Sequence, residues 1–230
     1  MYLPWTWCSF YISSRMQVDP DELTKHVSKL IGVKWYLRNQ NIVGEEKGAV
    51  LVSNHQSSLD VLGMTNVWHA LNKCAIVCKM DLLYSPIGPA VYLMGGIFLN
   101  RNYNMLKYWY IKINNLLQTK IWIYPEGTRN SDVTKMLPFK KGAFITAISS
   151  QAPIIPLVFS PYYFINKKEK KFSNGSHIII QCLDPIPTEG LTLDDLPELI
   201  DRVKETMERT YKDLLSEVTR DLPENYPLVN

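Results

Sequence analysis

From Ala49 onwards, short apolar runs alternate with stretches of helical spacing, and this alternation limits the possible folds more than any other feature. Apolar runs of this length predict strands, and the stretches between them predict helices. The predicted strands are Ala49 to Ser53, Cys74 to Lys79, Gly96 to Leu99, Lys120 to Tyr124 and Ile154 to Ser160, and the predicted helices are Ser57 to Ala70, Tyr103 to Leu117 and Lys141 to Ser150. Such alternation implies right-handed crossovers in an α/β fold, with a mainly parallel mixed sheet and helices on both faces.

The C-terminal part of the chain adds two further predicted features. Tyr162 to Ile165 and His177 to Leu183 predict a hairpin at one edge of the sheet. Asp194 to Val218 predicts the longest helix, because its apolar residues recur at helical spacing. A chain of 230 residues can bury one sizeable core and does not require two, so we predict a single domain.

The N-terminal residues are rich in aromatic side chains. Met1 to Ser14 is shorter than the roughly 20 apolar residues that span a bilayer, so it favours a membrane-interface segment or the end of a span, with core packing as the alternative. Asp19 to Glu22 then has the acidic start of a helix that we expect to run to about Trp35, either on a membrane or against the sheet. We therefore expect residues 1–37 to form an N-terminal membrane-associated helical segment, and residues 38–230 to form the main domain.

Charge and cysteine content narrow the class of protein only moderately. The formal net charge of +3 is only mildly basic and says little about a nucleic-acid partner, and we expect none. The lysine pair at 140–141 and the lysine run at 167–171 are either solvated loops or a surface for anionic lipid head groups or a phosphorylated carrier. The four cysteines show no tight metal-binding spacing, so we expect them to be buried free thiols, which favours a reducing compartment. Three of the four histidines have no other metal-binding side chain at ligand spacing in the sequence, namely His26, His69 and His177. We therefore expect no metal site.

A histidine and an aspartate follow the predicted strand that ends at Ser53. In the run Asn54-His55-Gln56-Ser57-Ser58-Leu59-Asp60, the carboxylate of Asp60 can fold back to one imidazole nitrogen of His55. Such a contact fixes the tautomer and leaves the other nitrogen free to take a proton from an alcohol. A lone histidine beside a strand is more often structural than catalytic, so this pair requires support from other motifs.

Two further polar motifs follow apolar runs and supply positive charge. Glu126-Gly127-Thr128-Arg129 combines a flexible glycine, a hydroxyl group and a guanidinium, which suits phosphate binding, and Arg101 follows the glycine pair at 95–96. The alternative for an exposed arginine is a surface salt bridge. Because ligand sites of parallel sheets lie beyond the carboxyl ends of the strands, we expect these motifs to converge with His55.

Other common enzyme signatures are absent from the sequence. No Gly-x-Ser-x-Gly elbow is present, which disfavours the serine nucleophile of an α/β-hydrolase. The chain also contains neither the phosphate-binding Gly-x-x-x-x-Gly-Lys-Ser/Thr loop nor a dinucleotide-binding glycine fingerprint.

Taken in order, these motifs resemble the glycerolipid acyltransferases, and most closely the 1-acyl-sn-glycerol-3-phosphate acyltransferases. The resemblance covers the chain from about Trp35 to the C-terminal helix. Four motifs carry it: His55 with Asp60, Gly96 to Arg101, Glu126 to Arg129, and Pro153-Ile154-Ile155-Pro156. The second motif departs from the usual family pattern, because Asn100 stands where an acidic residue is common, and only Met1 to Ser14 stands where the family usually has membrane spans.

The resemblance implies transfer of a fatty acyl group from acyl-CoA to the sn-2 hydroxyl of lysophosphatidic acid, giving phosphatidic acid and CoA in phospholipid biosynthesis. It implies direct attack without an acyl-enzyme, with His55 as the base and Asp60 as its orienting partner. The acceptor phosphate would be held by Arg101, Glu126, Gly127, Thr128 and Arg129, and Pro156 would shape the acyl-donor side. No cofactor is implied, since acyl-CoA is a co-substrate.

The same resemblance implies membrane lipids as partners. It implies a location at the endoplasmic reticulum membrane, with the active site reached from the cytosolic face or the membrane interface. Two alternatives remain open: an acyltransferase for another acceptor, such as glycerol 3-phosphate or another lysophospholipid, and a non-catalytic membrane lipid-binding protein. The intact pair of His55 and Asp60 argues against the second alternative, because lipid binding alone requires neither residue.

Overall fold

A computed structural model describes residues 26–84, 88, 91, 96–99, 119–130, 132, 134–166, 171–172 and 176–220. Several sequence-based predictions lie wholly or partly outside these residues. Among them are the membrane-interface segment at Met1 to Ser14, the acidic helix start at Asp19 to Glu22, the helix at Tyr103 to Leu117, the placement of Arg101, and the lysine run at 167–171.

Within the described residues, the strands form one seven-stranded sheet and a separate two-stranded hairpin. The strands are β1 (Val33–Arg38), β2 (Ala49–Ser53), β3 (Cys74–Lys79), β4 (Ile97–Leu99), β5 (Lys120–Ile123), β6 (Ile154–Phe159), β7 (Ile165–Asn166), β8 (Lys171–Phe172) and β9 (Ser176–Cys182). The large sheet has the order β1-β9-β6-β2-β5-β3-β4. Its neighbouring strands are parallel except for β6 and β9, which are antiparallel, so the prediction of a mainly parallel mixed sheet is confirmed.

The central strands are buried along their whole length. Every residue of β2 and β6 is buried, and the two strands pair in the register Val50↔Ile154 to Ser53↔Leu157. Strands that are covered on both faces consist of continuous runs of β-branched and aliphatic residues, so they could be predicted from the sequence. They deliver the polar residues that follow Ser53 to the edge of the core.

The described helices connect and cover these strands. They are α1 (Gln40–Gly44), α2 (Leu59–Asn66), α3 (Met80–Leu83), α4 (Gly142–Ser150) and α5 (Leu196–Thr219), with short 3-10 turns at Trp68–Leu71 and Leu193–Asp195. A capping box between Thr192 and Asp195 precedes α5, and Pro197 lies in its first turn. One side of α5 is buried against the core, at Leu196, Leu199, Val203, Met207, Tyr211, Leu214 and Val218. None of the helices in the described residues is long and apolar enough to cross a membrane.

The prediction of a helix running to about Trp35 is wrong at its C-terminal end. Residues 26–30 are helical, Gly32 has a positive φ of 71°, and the chain then enters β1, which pairs with β9 in parallel. Burial in β1 alternates with a period of two residues, as expected for an edge strand with one face on the core. The last residues of the predicted segment 1–37 therefore pair in the sheet, and Trp35 donates from Nε1 to Ser28 Oγ at 3.0 Å.

The predicted edge hairpin of Tyr162 to Ile165 with His177 to Leu183 is also wrong. Strand β9 lies inside the sheet between β1 and β6, and the hairpin is formed by β7 and β8. The aromatic residues before β7 are buried rather than paired in a strand: Tyr162, Tyr163 and Phe164. Their burial in the core accounts for the apolar pattern that predicted a strand.

The described cysteines are buried free thiols, as predicted. Burial raises the pKa of Cys74, Cys78 and Cys182 to about 12. These thiols therefore stay protonated at neutral pH and act as small apolar core residues. Cys8 lies outside the described residues.

Candidate active site

Two of the predicted motifs, His55 with Asp60 and Glu126 to Arg129, meet at the carboxyl ends of adjacent parallel strands. Strand β2 pairs with β5 on one side and β6 on the other. His55 follows β2 by two residues and Glu126 follows β5 by three, so the two segments leave the sheet at the same edge. This is the edge at which ligand sites of parallel sheets form.

His55 and Asp60 are in direct contact. Nδ1 of His55 lies 2.6 Å from Oδ2 of Asp60, and the same oxygen accepts from the main-chain N–H groups of Gln56 at 2.7 Å and Ser57 at 3.0 Å. An oxygen that accepts from two N–H groups acts as a carboxylate acceptor, so Nδ1 of His55 donates and Nε2 carries the lone pair. Asp60 is fully buried in the first turn of α2, whereas the His55 side chain is 20% exposed. This arrangement can accept a proton from a bound substrate.

Tyr124 covers one face of the imidazole. The rings of His55 and Tyr124 are stacked with centroids 4.2 Å apart and an interplanar angle of 23°. Burial, followed by the negative charge of Asp60, raises the pKa of Tyr124 well above its ordinary value. Tyr124 is therefore a neutral aromatic surface against which the ring of His55 is oriented.

Glu126 holds the main chain of His55. Its Oε1 accepts from the main-chain N–H of His55 at 2.9 Å, and its Oε2 accepts from the main-chain N–H of Leu137 at 3.1 Å. Glu126 is only 2% exposed, and burial raises its pKa, although the hydrogen bonds from His55 and Leu137 oppose that effect. The main-chain N–H of Asn130 donates to the carbonyl oxygen of His55 at 2.7 Å. Both peptide groups that flank the catalytic candidate are thus fixed by the segment after β5.

The loop after Glu126 carries the predicted phosphate ligands. Gly127 has a positive φ of 66°, a conformation that glycine adopts without steric strain, and its N–H donates to the carbonyl oxygen of Tyr124 at 3.1 Å. Thr128 and Arg129 are exposed, and Nη1 of Arg129 donates to Ser58 Oγ at 2.7 Å. The guanidinium therefore lies beside the residue that precedes α2, on the same loop system as His55.

Comparisons with known proteins identify the family of this chain. The family model described as Acyltransferase matches residues 34–160. Human 1-acyl-sn-glycerol-3-phosphate acyltransferase alpha is 39% identical over 195 residues, which cover 82% of this chain and 68% of the human protein. A putative 1-acyl-sn-glycerol-3-phosphate acyltransferase of Caenorhabditis elegans is 40% identical over 198 residues, covering 80% of this chain and 68% of that protein. The chain belongs to the acyltransferase family.

The fold of this acyltransferase is also found in a solved bacterial structure. The crystal structure of the 1-acyl-sn-glycerophosphate acyltransferase PlsC from Thermotoga maritima matches with a TM-score of 0.70 at 22% sequence identity. The match covers 90% of this chain and 86% of that chain. At this level of identity, the likeness shows that the two proteins share their fold.

The described residues of the predicted acyltransferase site lie in two places. His55, Asp60 and the loop 126–129 are brought together by the hydrogen bonds described above. Pro156 is buried in β6, opposite Val52 of β2, and its carbonyl oxygen accepts from the N–H of Leu183 at 2.9 Å. Its role on the acyl-donor side stays a prediction. Arg101 lies outside the described residues.

Two amides that flank His55 support the site and were missed by the sequence interpretation. Asn54 donates from Nδ2 to the carbonyl oxygen of Phe159 at 3.0 Å and accepts from its N–H at 2.9 Å. The Oε1 of Gln56 accepts from the N–H of Tyr162 and from the hydroxyl of Tyr211, each at 3.2 Å. These bonds join the His55 loop to β6 and to α5. The signal in the sequence was the two amides in the first three residues after a buried strand, where buried polar groups need partners.

Proposed function

We propose that this acyltransferase transfers a fatty acyl group from acyl-CoA to the sn-2 hydroxyl of lysophosphatidic acid, giving phosphatidic acid and CoA. The contact of 2.6 Å between His55 Nδ1 and Asp60 Oδ2 is the observation on which the proposal chiefly rests, because it prepares Nε2 to accept a proton. The names of the relatives, 1-acyl-sn-glycerol-3-phosphate acyltransferases, support the choice of acceptor.

In the proposed reaction, Nε2 of His55 takes the proton of the acceptor hydroxyl as its oxygen attacks the thioester carbonyl. A tetrahedral intermediate forms, and it collapses with cleavage of the carbon–sulfur bond. The proton held by His55 then passes to the departing CoA sulfur, so that the enzyme returns to its starting state. Asp60 stabilises the imidazolium between these steps, and base catalysis of this kind contributes roughly 10² to 10⁴ in rate.

The acceptor phosphate is proposed to lie against the loop that contains Gly127, Thr128 and Arg129. Arginine binds phosphate oxygens in a bidentate manner, and the guanidinium of Arg129 is already oriented by Ser58. Arg101 is proposed as a second cation, on the basis of its motif alone. Glu126 is proposed to act through the main chain of His55, since both of its carboxylate oxygens already accept from N–H groups.

We further propose that the protein works at a membrane, because its acceptor is a lipid. The helical residues at 26–30 support this proposal: Leu30 is 87% exposed and Val27 is 39% exposed, beside the exposed Lys29. Exposed apolar residues next to a lysine suit the boundary between head groups and acyl chains. The proposed location is the endoplasmic reticulum, with the site open to the cytosolic face or the membrane interface.

Turnover of purified protein tests the proposed activity. Wild-type protein with acyl-CoA should release CoA when lysophosphatidic acid is supplied, and not with glycerol 3-phosphate or lysophosphatidylcholine. His55→Ala should remove turnover while leaving acceptor binding largely intact, because the ring contributes the base and not the phosphate site.

The matched control is His26→Ala, since His26 is an exposed histidine on the helical residues at 26–30, outside the proposed site. It should retain wild-type turnover. CoA release by His55→Ala at the wild-type rate would refute the mechanism. Faster turnover with one of the other acceptors would leave the acyltransfer chemistry in place and change the assigned acceptor.

A further inference from the structure

A lysine side chain lies across the glycine of the proposed phosphate loop. If Gly127 carried a Cβ, that atom would lie 2.7 Å from Nζ of Lys140 and 2.9 Å from its Cδ and Cε. The main-chain N–H of Lys140 also donates to the carbonyl oxygen of Pro125 at 2.8 Å. The lysine is therefore anchored beside the loop at its main chain, and its ammonium group lies against the peptide of Gly127.

Among the described residues, no carboxylate forms an ion pair with this ammonium group. Glu126, the acidic residue of the same loop, directs both carboxylate oxygens to main-chain N–H groups. Lys140 is exposed, so its ammonium group is open to an anion that approaches from solvent.

Lys140 and Arg129 place two cationic groups at one short loop, Arg129 as part of the loop and Lys140 beside it. Arg129 is held by Ser58 at one end of the segment 127–129, and Lys140 covers the glycine at the other end. The side chain of Lys140 fills the space beside the glycine, and its ammonium group adds a compact point charge that complements the planar guanidinium. A phosphate monoester carries a charge of about −1.5 to −2 at pH 7 and can use both cations.

We propose that Lys140 is a further substrate-binding residue, which contacts the phosphate monoester of the acceptor together with Arg129. This inference rests on the proposed function and deepens it, because it assigns to Lys140 a preference for a monoester over a phosphodiester. A head group esterified to the phosphate leaves about one negative charge and removes the need for a second cation. A phosphate monoester is also present in CoA, so the experiment must separate the acceptor from the donor.

The neighbouring lysine provides a matched control. Lys141 is exposed like Lys140, but it lies at the N-terminal boundary of α4, where its carbonyl oxygen accepts from the N–H of Ile145 at 2.9 Å. Substitution of either lysine by glutamine removes the same formal charge from adjacent positions. A difference between the two variants therefore reports the position of the charge and not the net charge of the protein.

Kinetics with one substrate saturating at a time test the assignment. Lys140→Gln should lower kcat/KM for lysophosphatidic acid by about 10- to 100-fold, mainly through KM, because a charge-assisted hydrogen bond is lost. The KM for acyl-CoA should stay within about 2-fold, and Lys140→Arg should recover part of the loss. Lys141→Gln should behave as wild type. An equal effect of the two glutamine variants, or a rise confined to the KM for acyl-CoA, would overturn the proposal.

Binding to an inactive protein separates this inference from the proposed reaction. In a His55→Ala background, calorimetry with lysophosphatidic acid measures acceptor affinity without turnover. Adding Lys140→Gln to this background should weaken affinity by about 10-fold or more, whereas adding Lys141→Gln should not. If adding Lys140→Gln to the His55→Ala protein leaves the affinity for lysophosphatidic acid unchanged, the role of Lys140 is refuted, even if wild-type protein is an active acyltransferase. Absence of wild-type turnover, with the expected loss of affinity, would instead refute the proposed reaction.

Discussion

The main-chain N–H of His55 donates to Oε1 of Glu126 at 2.9 Å, although the two residues lie 71 positions apart in the sequence. The second carboxylate oxygen of Glu126 accepts from the N–H of Leu137. One buried carboxylate thus ties the histidine loop after β2 to two segments that follow β5. The position of the proposed base depends on this link, because a small displacement of a catalytic group lowers the rate strongly.

Replacing Glu126 by glutamine should weaken this link without changing the size of the side chain. Of the two polar atoms of the glutamine amide, only the oxygen can accept a hydrogen bond. The main-chain N–H of either His55 or Leu137 is therefore left buried without an acceptor. We expect a loss of about 1 to 3 kcal/mol in the free energy of unfolding and a drop of about 10- to 100-fold in kcat. Denaturant unfolding and steady-state kinetics measure the two effects. A large rise in the acceptor KM with unchanged kcat would indicate instead that Glu126 binds the acceptor directly.

Asp60→Asn should abolish most of the activity while preserving the fold. Oδ2 of Asp60 accepts from Nδ1 of His55 and from the N–H groups of Gln56 and Ser57. The oxygen of an asparagine can still accept these bonds, but the neutral amide carries no negative charge to stabilise the imidazolium, so kcat should fall by about 10³- to 10⁴-fold with a small change in the acceptor KM. The exposed Asp81 in the first turn of α3 provides the control, since Asp81→Asn should leave kcat unchanged. Comparable kcat values for the two variants would contradict the role assigned to Asp60.

The strands that build the site could be predicted because they are buried on both faces. The apolar runs of β2 and β6 are continuous, so burial on both faces leaves a direct trace in the sequence. Strand β1 left no such trace, because Trp35, Tyr36 and Leu37 fit a helical stripe as well as an edge strand. The pairing of β9 between β1 and β6 is a long-range choice that local pattern does not encode.

The site shows the same division between local and distant contacts. His55 and Asp60 are five residues apart, so their contact follows from one turn and the start of one helix. The stacking of Tyr124 on His55 and the hydrogen bond from the His55 N–H to Glu126 depend on how β5 pairs beside β2. The sequence could show that these residues exist near strand ends, but not which main-chain group each would contact. The main-chain group that each side chain contacts is decided by the pairing of strands that are distant in the sequence.

Tyr124 should contribute through its ring face and not through its hydroxyl group. The ring lies 4.2 Å from that of His55, so it restricts the imidazole and stabilises its positively charged form during proton transfer. Tyr124→Phe keeps the ring and should retain kcat within about 2-fold, whereas Tyr124→Leu should lower kcat by roughly 2- to 10-fold. Single-turnover rates at saturating substrates measure this step. Equal losses in the two variants would assign the effect to the hydroxyl group.

The ion pair between Arg38 and Glu217 should stabilise the edge of the sheet in a pH-dependent way. Nη1 of Arg38 donates to Oε2 of Glu217 at 2.8 Å, which joins β1 to α5. The hydrogen bond from Arg38 lowers the pKa of the Glu217 carboxyl, so its contribution is present above the ordinary pKa of a glutamate and is lost as pH falls through the lowered value. The pair is well exposed, so solvent screening limits it to about 1 kcal/mol or less.

Glu217→Gln should therefore lower the free energy of unfolding at pH 7 by about 0.2 to 1 kcal/mol. The difference from wild type should shrink as pH falls through the lowered pKa of Glu217, because the wild-type carboxyl then becomes neutral in the folded state as well. Glu205→Gln, at an exposed position of the same helix, controls for the change in helix propensity and net charge. Denaturant unfolding at several pH values measures the difference. A destabilisation that stays constant from pH 7 down through the acid range would show that Glu217 acts through packing and not through its charge.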